Sequence, residues 1–353
     1  MNQKMLSLRF RRAASLIATF EKGGIVLQNY LTHERFGCSA ECLEFLAGMD
    51  DWIPAGTLFE LMPWADRISI AEQVPDLVAA GVIVVTDTPQ AERDDQYRRE
   101  WQWGESAGFF HFSIRDTRFV TGKSASTFIQ KRKLWRPSPS LYASNIGKKI
   151  FEMPAVDIKQ EPLALMYKRR SNRSFDGNAI SMQSLSDCLF AGNGIIELRN
   201  AGDFGQLPIT MTPSGGARNP FELYVYANKV KDLGRGFYHY DALQHNLGLI
   251  AHTKADISGM LGTQRWPIKA SAIIFLAANF ARSMWKYHMP MAYRVVIMEA
   301  GFIGQNIALV ATRHGLSAVP SGAIRDSKVE RYLRLPAVAS GVLLSMSIGK
   351  PKC

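Results

Sequence analysis

The chain has 353 residues, 47% hydrophobic and 21% charged, which excludes disorder over most of its length and allows one large core or two ordinary ones. With 42 basic against 31 acidic residues the net charge is +11, so anionic partners are expected: nucleic acid, a phosphorylated cofactor, an acidic peptide or a membrane surface. No uninterrupted apolar stretch reaches the ~18 residues of a membrane span. The longest, Val295 to Ala311, is broken by Glu299 and Gln305, and the N-terminus shows no apolar signal-peptide core.

The four cysteines, Cys38, Cys42, Cys188 and Cys353, are scattered and read as reduced thiols, so a cytoplasmic location is expected. In chain order, residues 15–20 and 24–30 read as strands. Ser39 reads as the N-cap of a helix with Cys42, Leu43 and Leu46 on one face. A second helical pattern carries Ile70, Val74, Leu77 and Val78. Pro75 inside it predicts a kink or a fresh start, and Gly81 stops it before a β-branched run at 82–85. Helix, Gly stop and strand predict a winged-helix-like unit over residues 1–90. Residues 86–103 are polar and read as a linker or an exposed helix, within a connecting segment at 91–159. Nine Lys/Arg stand against one acid, Asp116, between Phe112 and Ile150: a solvated face, or a surface that guides an acidic peptide.

From about residue 160 helical and strand patterns alternate. Residues 185–190 read as helix, 222–227 and 271–278 as strands, 293–314 as a long helix and 342–347 as a last strand, which predicts an α+β or α/β domain over 160–353. There is no GxGxxG, GxxxxGK, HExxH or CxxC motif, and the histidines lack metal-like spacing, so no metal centre is expected.

The densest cluster is Lys168–Phe175, four cations and two hydroxyls in the seven residues from Lys168 to Ser174. Guanidinium groups grip phosphate oxygens through paired hydrogen bonds, and Ser adds a donor. The bland alternative is an exposed basic turn. Pro213–Pro220 (PSGGARNP) offers small residues that let a backbone approach a flat ligand, or an ordinary turn. Pro320–Ile324 and Gly349–Lys350 read alone as a turn and a solvated tail. In the long helix Ala300, Gly301, Gly304 and Ala308 form a small-residue strip, which implies close packing within the chain or across a subunit interface.

Together these segments resemble the nitroreductase-like flavoenzymes and, within them, the SagB-type dehydrogenases that oxidise thiazolines and oxazolines in ribosomal peptides, as in azole-containing microcin biosynthesis. The resemblance rests on KRRSNRSF (168–175), PSGGARNPFELYVY (213–226), GFYHYDALQHNLGLI (236–250), EAGFIGQNIALVATRHGL (299–316) and VPSGA (319–323). It implies an α+β, dimeric FMN-binding fold with a mixed sheet flanked by helices. FMN would be held by Arg169, Arg170, Ser171 and Arg173 at its phosphate and ribityl chain, with Lys350 adding a phosphate contact. Ser214, Gly215, Gly216, Ala217 and Arg218 would line the ring, and Gly322 and Ala323 would meet its reactive edge. At Ala217 the resembling enzymes often carry Asn, so this chain offers no polar side chain there.

The resemblance also implies that Lys286 and Tyr287 are catalytic. Making an azole from an azoline removes a hydride from one carbon and a proton from its neighbour, and the proton needs a positioned base. Without the resemblance, 285–287 would read as a surface helix start, and His288 is a weaker alternative base. The implied partners are a precursor peptide, a YcaO-type cyclodehydratase with its peptide-binding subunit, and a second copy of the chain, with no specific nucleic acid and no membrane. The competing readings are an NAD(P)H-dependent nitroreductase or quinone reductase of small molecules and, third, a flavin-sensing DNA-binding protein. The last lacks a recognition helix rich in Arg, Asn or Gln.

Overall fold

The computed structural model describes residues 8–61, 67–116, 161–201, 205–252, 257–287, 289–336 and 338–352, with single positions at 124, 127, 130, 131 and 134. The chain forms two compact units: Met1–Arg115 with Phe280–Val295 and Pro336–Ala339, and Asp116–Asn279 with Val296–Leu335 and Ser340–Cys353. The division falls at 115 instead of near 90, and two later segments return to the first unit.

The first unit opens with β1 (Arg9–Arg12) and an antiparallel sheet of β2 (Leu16–Glu21), β3 (Gly24–Asn29) and β4 (Glu34–Cys38). Then come α1 (Ala40–Ala47), β5 (Ile53–Pro54), α2 (Ala55–Leu61), α3 (Arg67–Ala79) and β6 (Ile83–Val85), and β1 pairs with both β5 and β6. Ser39 caps α1 by accepting the Cys42 N–H. Phe10, Leu27, Phe45, Leu58, Leu77 and Ile83 share one core, and α3 runs through Pro75 as a single helix.

The polar stretch after residue 86 is packed structure. It forms α4 (Pro89–Glu100), with Thr88 as N-cap and Pro89 in the first turn, followed by α5 (Gly104–Ser113). Charge patterning hid its buried side: Asp94 is buried because Arg11 meets it at 2.6 Å and the Ala14 N–H at 2.7 Å. Tyr30, Tyr97, Trp101, Trp103 and Phe112 form an aromatic cluster that also takes in Phe280 and Tyr293. Such ring pairs contribute beyond the area they bury.

The second unit contains α6 (Leu163–Lys168), α7 (Met182–Asn193) and a hairpin of β7 (Ile195–Asn200) and β8 (Gln206–Thr210). β9 (Phe221–Ala227), β10 (Gly236–Asp241), β11 (Asn246–His252) and β12 (Ala272–Asn279) follow. After α8 (Phe280–Met284), which belongs to the first unit, come α9 (Met291–Arg313), whose residues up to Val295 also belong to the first unit, β13 (Ser317–Ser321), α10 (Asp326–Leu333) and β14 (Ser340–Gly349). The six-stranded sheet has the order β11-β10-β9-β12-β14-β13. All its described pairings are antiparallel, which corrects the expected mixed sheet. The connections β9–β10–β11 are too short for the crossovers that parallel pairs need. β12 is buried along nearly its whole length, which is why it reads as a continuous apolar run.

α9 is long and apolar enough to cross a membrane by length and composition. Its residues Val296, Ile303, Ile307 and Ala311 are buried in the protein. A Cβ on Gly304 would lie 3.0 Å from Leu344 Cδ2 and 3.3 Å from Met346 Sδ, both on β14. Gly304 therefore seats the helix on its own sheet, whereas Gly301 of the same strip has nothing within 4 Å of a Cβ and faces outward. Ile297, Met298, Gly301 and Phe302 are exposed instead.

Candidate active site

Residues 169–176 leave α6 without regular secondary structure, anchored by Phe175, which is buried beside Trp266 and bridged to Pro351. The Asp176 N–H donates to the Lys350 carbonyl at 3.1 Å, and the Lys352 N–H donates to Ser174 at 2.7 Å. This antiparallel pairing carries Lys350 to the Arg/Ser cluster, so a residue that read as a tail becomes part of the same charged surface. From β13, Ser317 Oγ accepts the Asn172 N–H at 3.1 Å and donates to the Asn172 carbonyl at 2.9 Å.

Arg169 Nη1 reaches Ser171 Oγ at 3.3 Å, and the Arg173 guanidinium lies 5.9 Å from the Trp266 ring centroid. Arg170 turns back onto the carbonyls of Tyr167 and Arg169. Among the described residues no carboxylate is ion-paired with these three arginines. The Asp176 carboxyl is held below its ordinary range, first by the Asn178 backbone N–H and also by Lys350 and Lys229. Arg169 beside Ser171, with Arg173 two residues on and Lys350 across the pairing to Asp176, offers donors that suit a phosphate monoester.

The glycine loop is a short 3₁₀ turn at Gly215–Ala217. Gly216 at φ 62° takes the left-handed conformation readily, whereas Ala217 takes it at φ 52° against its Cβ. The turn is pinned from α9: the Gly215 N–H donates to Glu299 Oε1 at 2.7 Å. Burial raises the Glu299 carboxyl above its ordinary range, and hydrogen bonds from Gly215 and Ser214 partly offset this. Asn219 closes the loop, its N–H on Ser214 Oγ at 3.0 Å and its side-chain amide on the Pro208 carbonyl at 3.0 Å. Arg218 follows the turn.

Gly322 and Ala323 follow β13. The Ala323 N–H donates to Ser321 Oγ, whose hydroxyl in turn donates to Gln264 Oε1 at 3.0 Å. A Cβ on Gly322 would meet nothing within 4 Å, so the backbone there is open to a ligand. Ser317 and Gly322 stand at opposite ends of β13, on the order of 17 Å apart at strand rise. One strand thus links the Arg/Ser cluster to the open glycine, a spacing that suits a long cofactor with an anionic end. Sequence reading missed Ser317, Gln264, Trp266 and Glu299. Only Glu299 left a signal, as a lone acid in an apolar helix.

Lys286 and Tyr287 lie in the first unit, in the turn after α8. Both backbone N–H groups donate to the Ser283 carbonyl, at 3.2 and 2.9 Å. Both residues are half-buried, beside exposed Trp285, and Lys286 Nζ stands 5.4 Å from the Tyr287 ring centroid. His288, Cys353 and most of the basic run at 117–150 fall outside the described residues. The first unit also has a cavity of about 270 Å³ lined by Phe36, Cys38, Ser39, Glu41, Cys42 and Asp76 among others. Among the described residues no group of three or more His, Cys, Asp or Glu could hold a metal ion.

The model of the Nitroreductase family matches residues 166–350, just over half of the chain, and the chain belongs to that family. Its matched span takes in the Arg/Ser cluster, the glycine loop, Gly322, Ala323 and Lys350. The protein MJ1384 of Methanocaldococcus jannaschii, which bears a provisional nitroreductase name, is 29% identical over 202 residues, covering 56% of this chain and 96% of that protein. The trifolitoxin-processing protein TfxB of Rhizobium leguminosarum bv. trifolii is 32% identical over 129 residues, 35% of each chain. A chain of the E. coli microcin synthetase McbBCD complex, solved with truncated pro-MccB17 bound, is 18% identical, with 74% of this chain and 92% of that chain covered and a TM-score of 0.49.

Proposed function

We propose that this chain is an FMN-dependent dehydrogenase that oxidises thiazolines and oxazolines to thiazoles and oxazoles in a ribosomally made precursor peptide. The observation that supports the reading is the pairing of 174–176 with 350–352, which brings Lys350 beside the segment carrying Arg169, Ser171 and Arg173 within a nitroreductase-family match. The similarity to a trifolitoxin-processing protein supports a peptide as substrate. Bound FMN supplies the hydride acceptor. The chain's own residues do the rest: Arg169, Arg170, Ser171, Arg173 and Lys350 hold the phosphate end, and Ser214–Arg218 with Gly322 and Ala323 hold the ring. Lys286 takes the proton from the carbon next to the one that loses hydride, and Tyr287 relays it or polarises the heterocycle.

The exposed face of α9, with Ile297, Met298 and Phe302, is the surface on which a second copy would bury apolar area. The first unit, read as winged-helix-like through β5, α2, α3 and β6, would be the part that binds peptide or partner. A YcaO-type cyclodehydratase and its peptide-binding subunit would supply the azolines, in the cytoplasm. The test is mass. A precursor already lighter by ~18 Da per ring should lose a further ~2 Da per ring with the purified yellow protein. Reduction of nitroaromatics by NADPH with no such loss would establish the small-molecule nitroreductase reading instead.

A further inference from the structure

We infer that Trp103 is a positioning residue for the Lys286–Tyr287 pair, so that the first unit holds the catalytic dipeptide as well as recognising partners. This rests on the azoline-dehydrogenase reading for the word catalytic. The tie itself is read directly from the first unit. The Trp103 indole N–H donates to the Tyr287 backbone carbonyl at 2.9 Å, across 184 residues of sequence. The neighbouring Gln102 N–H meets Met284 Sδ at 3.3 Å, so two successive residues grip both ends of the 284–287 turn.

Trp103 has no exposed surface, so its indole has little freedom to swing away. It packs against Trp101 at 5.6 Å, Phe280 at 5.7 Å and Tyr293 at 5.5 Å between centroids, and the last two residues bracket the segment that carries Lys286. The turn's backbone N–H bonds are local, from Trp285 to the Ala281 carbonyl and from Lys286 and Tyr287 to the Ser283 carbonyl, and they fix its curl without fixing where it points. Trp103 supplies a long-range restraint on Tyr287. A general base misplaced by about 1 Å can lose about a hundredfold in rate, so a bond that aims the turn bears on catalysis without touching substrate.

Trp101 provides an internal control. It sits in the same cluster, and its indole N–H donates to Gly104 at 2.9 Å, a partner outside the 284–287 turn. Trp103→Phe and Trp101→Phe each keep a ring and remove one N–H donor. Backbone hydrogen exchange of residues 285–287, FMN content, and kcat and KM on azoline peptide are measured for both in the full-length protein. Trp103→Phe should speed exchange there by about tenfold or more and lower kcat by about tenfold, with FMN content unchanged and KM within about twofold. Trp101→Phe should leave exchange at 285–287 and kcat at parental values.

Unchanged exchange in Trp103→Phe, or equal changes in both variants, overturns the inference. So does faster exchange with full kcat. If Trp103→Phe does not fold, Met284→Leu removes the sulfur acceptor at the other end of the turn. It should give the same pattern on a smaller scale, and parental exchange in it also overturns the inference. Lys286→Ala, run in parallel, separates the two claims. Azole formation by that variant at the parental rate removes the catalytic reading, and the exchange data still decide whether Trp103 holds the turn.

Discussion

The second unit makes its candidate cofactor site from short segments that each carry their own chemistry, whereas the first unit makes its candidate catalytic segment from pieces that mean little alone. Arg169, Ser171 and Arg173 are neighbours in sequence, and one strand pairing adds Lys350. Lys286 and Tyr287 take their placement from Gln102 and Trp103, more than 180 residues earlier. A cofactor phosphate asks only for dense charge and donors, which a short motif can supply. A proton acceptor asks for one atom in one place, which takes packing from several elements.

That contrast fails if the same substitutions disturb both functions. The largest effect is expected at the catalytic pair. Lys286→Ala and Tyr287→Phe should stay yellow while azole formation falls by roughly 10²–10⁴. Their products should show the ~18 Da losses of cyclisation without the ~2 Da losses of oxidation. Loss of flavin in either variant would show that the two functions are not separable.

Next in size is the anion cluster. Arg173→Ala should weaken FMN binding roughly 10- to 100-fold, the scale of one charge-assisted hydrogen bond. It should leave exchange at 285–287 alone. Release of the chromophore by dilution, followed by its fluorescence, measures this. An unchanged dissociation constant would remove Arg173 from the site.

Two substitutions on α9 separate its faces. Gly304→Leu drives a side chain into Leu344 and Met346, and overpacking of this kind costs about 1–3 kcal/mol. It should lower the melting temperature of the second unit. Phe302→Glu, on the exposed face, should weaken the proposed dimer in sedimentation with little change in melting. The opposite assignment of effects would return the small-residue strip to a subunit contact.

These differences also mark what the sequence could and could not tell. Strands 222–227 and 271–278 and the helix over 293–314 were legible because their apolar patterns are long and end at clear turn signals. The charge of the 168–175 cluster was legible for the same local reason. Which face of α9 meets its own sheet was not, since a Gly/Ala strip fits a helix or a sheet equally. Nor was the burial of α4 legible, because Asp94 reads as solvent-exposed until Arg11 is placed beside it. The role of Trp103 had no local signature, being a relation between two distant segments.

The last effects are pH dependences, and they have opposite signs in the two units. In the first unit burial pushes the His111 imidazole down to about 3 from 6.5, with the Arg115 charge adding, and its Nδ1 shares a hydrogen bond with the Tyr293 hydroxyl. Below 6.5 the unfolded chain binds a proton that the folded chain resists. Stability is therefore full above 6.5 and falls as pH drops from 6.5 toward 3, by at most about 1.4 kcal/mol per pH unit. In the second unit Glu299 has a raised pKa, so the folded state binds its proton more readily than the unfolded state does. Its contribution is full below the ordinary value of 4.5 and declines as pH rises through the raised one. The two hydrogen bonds from the glycine loop offset part of the burial. Glu299→Gln keeps an oxygen for the Gly215 N–H and removes the charge. Urea unfolding of the second unit, followed by flavin fluorescence from pH 4 to 8, should lose its decline toward neutral pH in this variant. The acid-side loss that His111 contributes to the first unit should remain. A parental slope in Glu299→Gln would mean that the buried carboxyl is not what couples the glycine loop to pH.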